Sequence, residues 1–207
     1  MIGWRTMLRS FRSVLAVPLA YKLWWKLVGG PAWAEVLVRD YIQPMAGARI
    51  LEIGCGPGTI LGYLPQSQYL GFDLSSKYIA MAKRRFPHAE FVCERVSQFS
   101  LAKHHSFDLV LALGIVHHLE DGEAKQLFQI AFDALKPGGK LVTVDGVWTR
   151  DQSQTARWLL ARDRGEFVRN EQEYLGIASQ VFGRVKPSVR HDLLRIPYSH
   201  MIMECVR

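Results

Sequence analysis

Cysteine is scarce: Cys55, Cys93 and Cys205 stand far apart among 207 residues. So odd and scattered a set supplies neither a disulfide framework nor a metal-binding spacing, and reduced thiols in a cytoplasmic protein are expected. No cluster of histidine, cysteine and aspartate has ligand spacing, so no metal is expected in the chemistry. Long apolar runs are also missing, and none approaches the roughly 20 residues needed to span a bilayer. A secretory leader fits poorly, because Pro18 interrupts the short apolar stretch 14–20 and no small-residue cleavage site follows. Acidic residues are absent before Glu35, whereas Arg5, Arg9, Arg12, Lys22 and Lys26 precede it. The formal charge of +7 is therefore concentrated at the N-terminus, with a second arginine-rich stretch over 150–169. Such a surface suits nucleic acid, anionic lipid or an acidic substrate, or is simply a solvated face.

What is present favours one domain with an appendage. Hydrophobic residues make up 49% and charged ones 22%, enough for one sizeable core and against wholesale disorder. Short apolar runs at 49–53, 69–73, 90–93, 107–112 and 140–145 read as strands. Between them lie helical patterns. Ser75 is placed to cap one that shows Ile79, Ala82 and Phe86 on one face. Asp121 opens another, running through Ala124, Leu127, Phe128, Ala131 and Leu135 until Pro137-Gly138-Gly139 stops it. Strands alternating with helices imply an α/β fold with a mainly parallel sheet covered on both faces. Helices are expected at 152–164 and 171–182. Two strand-like runs near 185–190 and 199–206 then suggest an antiparallel pair closing the sheet edge.

The strongest chemical signal is the segment 51–58, Leu-Glu-Ile-Gly-Cys-Gly-Pro-Gly. Glycines at 54, 56 and 58 let the chain turn sharply after a strand and approach a ligand with no side chain between. A dinucleotide fingerprint would place its third glycine where Thr59 stands, which disfavours an NAD-dependent oxidoreductase. Asp73, ending the second strand, is placed to accept two ribose hydroxyls.

These features, with residues 107–114 (Phe-Asp-Leu-Val-Leu-Ala-Leu-Gly) and 135–141 (Leu-Lys-Pro-Gly-Gly-Lys-Leu), resemble the class I S-adenosylmethionine-dependent methyltransferases. The resemblance is to the small-molecule branch that includes quinone-biosynthesis enzymes, and it covers roughly 40–146. It implies a Rossmann-like, doubly wound, mainly parallel seven-stranded sheet with a C-terminal antiparallel strand pair and an N-terminal helical lid. Residues 1–30 would be the lid or a membrane-facing segment, and 31–207 the methyltransferase domain. The cofactor implied is S-adenosyl-L-methionine. Glu52, Gly54, Cys55, Gly56 and Gly58 would wrap its methionine part, Asp73 its ribose, and Leu74 would lie against the adenine. Leu113 and Gly114 would flank the methionine and sulfonium. The family often carries an aspartate after the third strand, where this chain has Glu94 and Arg95.

His117 and His118 follow the fourth strand, on the side where the family builds its acceptor site. Either is a candidate base for an acceptor hydroxyl, with His118 preferred, or the pair packs and caps only. Being consecutive, the two are expected to point in different directions. Tyr21 and Tyr198 are candidates to close over the acceptor. Arg5, Arg9 and Arg12 at helical spacing, with Trp4, Met7, Leu8, Phe11 and Leu15 between them, read as a lid or a helix lying peripherally on the inner face of an anionic membrane. The expected partner is a small, apolar or hydroxyl-bearing acceptor. A nucleic-acid substrate is disfavoured, because residues 112–115 lack the polar, proline-containing segment typical of base-amino methylation. Two alternatives remain open: an RNA or DNA methyltransferase, and a non-catalytic cofactor-binding subunit.

Overall fold

Arg49–Ile53 (β1) is the strand from which the sheet grows in both directions. The computed structural model describes residues 25–96, 106–163 and 165–207. Tyr21, nearly all of the expected lid, and residues 97–105 lie outside the described residues. Gln68–Asp73 (β2) and Glu90–Cys93 (β3) extend the sheet on one side of β1. Phe107–Leu113 (β4) and Leu135–Trp148 (β5) extend it on the other. These five strands are parallel. Arg184–Arg190 (β7) and His200–Val206 (β8) form the antiparallel pair beyond β5, giving the order β3-β2-β1-β4-β5-β8-β7. The expected seven strands are thus present, and a two-residue strand, Arg169–Asn170 (β6), pairs with β5 off this path.

Alternate side chains of each central strand enter opposite cores. Leu51, Ile53, Val110 and Ala112 pack with Asp121–Ala134 (α3) and Glu171–Ala178 (α5). Ile50, Leu109, Leu111 and Val142 face the other way, toward Gly30–Leu37 (α1) and Ser76–Arg85 (α2). Burial on both faces is why these strands read as unbroken apolar runs. Truncating Leu111, which is 0% exposed, to alanine should cost about 2–5 kcal/mol.

Local expectations hold with shifted ends. Ser75 Oγ accepts the Tyr78 N–H at 3.3 Å, capping α2. Helix α3 ends at Ala134, before the proline, because Leu135 is already extended and pairs with Phe107. The helix expected over 152–164 is only Gln154–Leu160 (α4), capped by Ser153. Helix α5 stops at Ala178 rather than near Phe182.

The chain crosses from β3 on one side of β1 to β4 on the other, so the crevice between the C-terminal ends of β1 and β4 is the topological switch point. The glycine-rich turn and Gly114 both sit there.

Candidate functional site

The turn after β1 is pinned to β2. Phe72 O accepts the N–H groups of Gly54 (2.9 Å) and Cys55 (3.0 Å), and Cys55 O accepts that of Gly58 (3.0 Å). Gly54 has φ +72°, and a Cβ there would fall 2.4 Å from Ile115 Cδ1, so only glycine lets β1 approach the end of β4 this closely. At Gly56 (φ +52°) a Cβ would meet nothing within 4 Å, so the backbone faces open space. Asp73 organises the rim. Its Oδ2 accepts the Gly56 N–H at 2.9 Å and its Oδ1 the Ser75 N–H at 2.7 Å. Each carboxylate oxygen retains a further acceptor direction for a diol. Leu74, beside it, is 60% exposed. The Glu94 N–H donates to Asp73 O, which brings the start of the loop after β3 to the same rim, with Glu94 half-buried and Arg95 exposed.

Two side chains of the glycine-rich segment are buried beneath the cradle. Cys55 is buried, its sulfur packed where a Gly71 Cβ would stand, so only its backbone belongs to the cradle. Glu52 is buried beneath the turn and receives a hydrogen bond from the Tyr69 hydroxyl. Burial, with the nearby Asp73 charge, outweighs that hydrogen bond and pushes the Glu52 carboxyl up to about 8.

The second half of the site lies beyond β4. Gly114 N–H donates to Val144 O at 2.7 Å, and the chain turns through Val116–His118. His117 is only 6% exposed and His118 is exposed. Contrary to expectation, the two rings do not diverge. Their centroids are 4.2 Å apart at 38°, with His118 layered on the outside of His117. It is His117 that is wired into the protein. Its Nδ1 lies 2.7 Å from Asp145 Oδ1 at the C-terminal part of β5, and its Nε2 lies 3.5 Å from Asp163 Oδ1. Asp163 in turn accepts the Tyr198 hydroxyl at 2.6 Å and the Gly165 N–H at 3.1 Å. Tyr198 thus joins the same cluster as His117, and its ring also lies against His200.

The charges diverge strongly across this cluster. Burial disfavours the His117 imidazolium, but Asp145 and Asp163 override it and raise the ring to about 9. Burial lowers His200 to about 4, and its Nδ1 has no hydrogen-bond partner among the described residues. Asp163 is held well below the usual carboxylate range because His117 and Tyr198 outweigh its own burial. Arg169, 6% exposed, braces the turn: its guanidinium donates to Val116 O (3.1 Å), Leu119 O (2.7 Å) and Asp121 Oδ1. Asp145, Asp163 and Arg169 have no motif in the sequence, and only the fold brings them to His117.

The residues 50–139 match a family model described as a methyltransferase domain. An uncharacterized methyltransferase of Alkaliphilus oremlandii is 30% identical over 115 residues, covering 55% of this chain and 52% of the relative. The match and the fold together support a class I S-adenosylmethionine-dependent methyltransferase. A ubiquinone biosynthesis O-methyltransferase of Xanthomonas oryzae is 28% identical over 130 residues, covering 57% of this chain and 54% of that protein. These matches span about half the length of either relative. A TehB-like S-adenosylmethionine-dependent methyltransferase from Corynebacterium glutamicum shares the fold of this methyltransferase domain, with a TM-score of 0.63 at 21% identity over 84% of this chain and 88% of that one. No helix among the described residues of the methyltransferase domain is long and apolar enough to cross a membrane.

Proposed function

We propose that this chain binds S-adenosylmethionine and transfers its methyl group to a small, apolar or hydroxyl-bearing acceptor. One observation carries the reading. A Cβ on Gly114 would lie 3.9 Å from His117 Cε1, so the glycine cradle and the buried His117 cluster are neighbours on one crevice.

The cradle fits the cofactor. Gly56 opens onto space that a side chain would fill, and Asp73 has unused acceptor directions beside it. Gly54 to Gly58 would hold the methionine part, with Glu52 buried beneath them. Asp73 would hold the ribose, Leu74, Glu94 and Arg95 the adenine side, and Leu113 and Gly114 the sulfonium side. When bound, the cofactor supplies an electrophilic methyl group on a sulfonium.

On the acceptor side, a ring raised to about 9 is a cation at neutral pH, a poor base and a good donor. His117 therefore stabilises negative charge on an acceptor oxygen while that oxygen releases its proton to solvent. It takes the central place that sequence reasoning assigned to His118. Donors fixed in place stabilise developing charge without reorganising. His118 and Tyr198 flank the same wall.

The test is transfer of labelled methyl from S-adenosylmethionine to phenols, quinols, sugars, lipids and RNA. Turnover on hydroxyl-bearing small molecules supports the reading. Turnover on RNA alone, or none with cofactor bound, would replace it with one of the two alternatives.

A further inference from the structure

We propose that Asp163, on the loop after α4, is a positioning residue for methyl transfer: together with Asp145 it holds His117 doubly protonated and in one orientation. The inference rests on His117 being the acceptor-side group of the proposed reaction.

Chemistry requires the doubly protonated form. A neutral imidazole has one N–H and one lone pair, whereas an ionised carboxylate only accepts. Here each ring nitrogen faces a carboxylate, Nδ1 toward Asp145 at 2.7 Å and Nε2 toward Asp163 at 3.5 Å. A neutral ring would aim its lone pair at one of the two. The two partners differ in kind. Asp145 is 2% exposed and also accepts the His117 backbone N–H at 3.1 Å, so it is fixed. The Asp163 side chain is 27% exposed and its contact is long, so an acceptor oxygen can share Nε2 with it.

The loop is built to deliver that carboxylate. Tyr198 O–H and Gly165 N–H both donate to Asp163 and keep it an acceptor. Gly165 lies flat on the ring: a Cβ there would be 2.0 Å from His117 Cδ2, so any side chain would push ring and loop apart. Phe167 N–H closes the loop onto His117 O at 3.0 Å.

Among the described residues, three further charged or titratable groups near the ring are engaged elsewhere or neutral, and a fourth stacks on it. Arg169 on β6 directs its guanidinium to Val116 O, Leu119 O and Asp121. His200 on β8 is kept neutral by burial. Tyr174 on α5 donates its hydroxyl to Gly146 O, and burial raises it above the ordinary tyrosine range. His118 layers on the outer face.

The experiment is an NMR titration of the imidazole carbon-bound protons in the full chain, with His117 assigned by loss of its signal in His117→Gln. In the wild type, His117 should titrate near 9. Asp163→Asn should bring that midpoint down by about one pH unit or more, and Asp163→Glu should restore part of it. Gly165→Ala, which keeps the charge but separates loop from ring, should also lower it. Turnover of Asp163→Asn should fall in kcat about tenfold or more, with the KM for S-adenosylmethionine unchanged. An identical His117 midpoint in wild type and Asp163→Asn overturns the role of Asp163, whatever the protein methylates. A wild-type midpoint near 6.5 overturns the charged ring itself. A shifted midpoint in a protein that transfers no methyl group leaves the pairing standing and removes the proposed reaction.

Discussion

One oxygen of Asp145 holds His117 twice. Asp145 Oδ1 accepts the backbone N–H of His117 at 3.1 Å and faces its Nδ1 at 2.7 Å, so the end of β5 fixes both the turn and the ring. The remaining oxygen, Oδ2, is buried without a partner among the described residues. Asp145→Asn keeps an oxygen for the backbone N–H but removes the charge that holds the Nδ1 proton, and should lower kcat by roughly 10²-fold or more, the scale on which a mispositioned site loses rate. His118→Ala should change kcat by less than about threefold, because His118 is exposed and layers on the outside of the buried His117 ring. Steady-state kinetics of the two variants checks this ranking, and the reverse order would return the central role to His118.

Stability should fall on the alkaline side. The His117 ring is raised from the ordinary 6.5 to about 9, so its contribution is complete below about 6.5 and is lost as pH rises through 9. Glu52 acts in the same direction. Its carboxyl is raised from 4.5 to about 8, so the folded state prefers the protonated acid and loses stability as pH climbs toward 8. Melting temperatures should decline steadily from pH 6 to pH 9.5. Glu52→Gln should flatten that decline, overtaking the wild type above pH 8. A variant that stays less stable than wild type at pH 9 would mean that Glu52 is ionised in the fold.

Arg169 is a bracing residue whose loss should be felt in stability first. Its removal leaves the carbonyls of Val116 and Leu119 without their charged donor. Arg169→Ala should cost about 3 kcal/mol, and Arg169→Lys should recover little, because an ammonium cannot reproduce the planar fork. Chemical denaturation measures both. Full recovery by lysine would show that charge alone matters at this position.

Gly56→Ala separates cradle from fold. The new Cβ meets no protein atom, so the cost should be limited to about 1 kcal/mol of backbone strain at positive φ. It would occupy the space assigned to the cofactor, so S-adenosylmethionine should no longer raise the melting temperature, as it should in the wild type. Retained cofactor stabilisation in this variant would place the ligand elsewhere.

The parts of the molecule legible in sequence are those fixed by neighbours along the chain. The runs 49–53 and 107–112 announce strands buried on both faces, and Gly54, Gly56 and Gly58 announce the turn through their backbone requirement. Asp73 could be placed because it ends a strand next to that turn. The partners of His117 were not legible. Asp145 and Asp163 lie across the fold from it, on a strand end and a loop that no periodicity marks. Arg169 belongs to an arginine stretch that reads as an anion-binding or a solvated surface, whereas here it is buried by the turn it braces. Two adjacent histidines were expected to diverge, but in this turn their rings are layered, so chain order did not reveal which was buried.

The most direct test of the central claim is calorimetric titration of the full chain with S-adenosylmethionine, in the wild type and in Asp73→Ala. The account predicts saturable binding at one site in the wild type and a loss of roughly 10²-fold in the variant, which lacks two hydrogen bonds to a charged acceptor. Equal affinity in both proteins, or binding of NAD with none of S-adenosylmethionine, would contradict it.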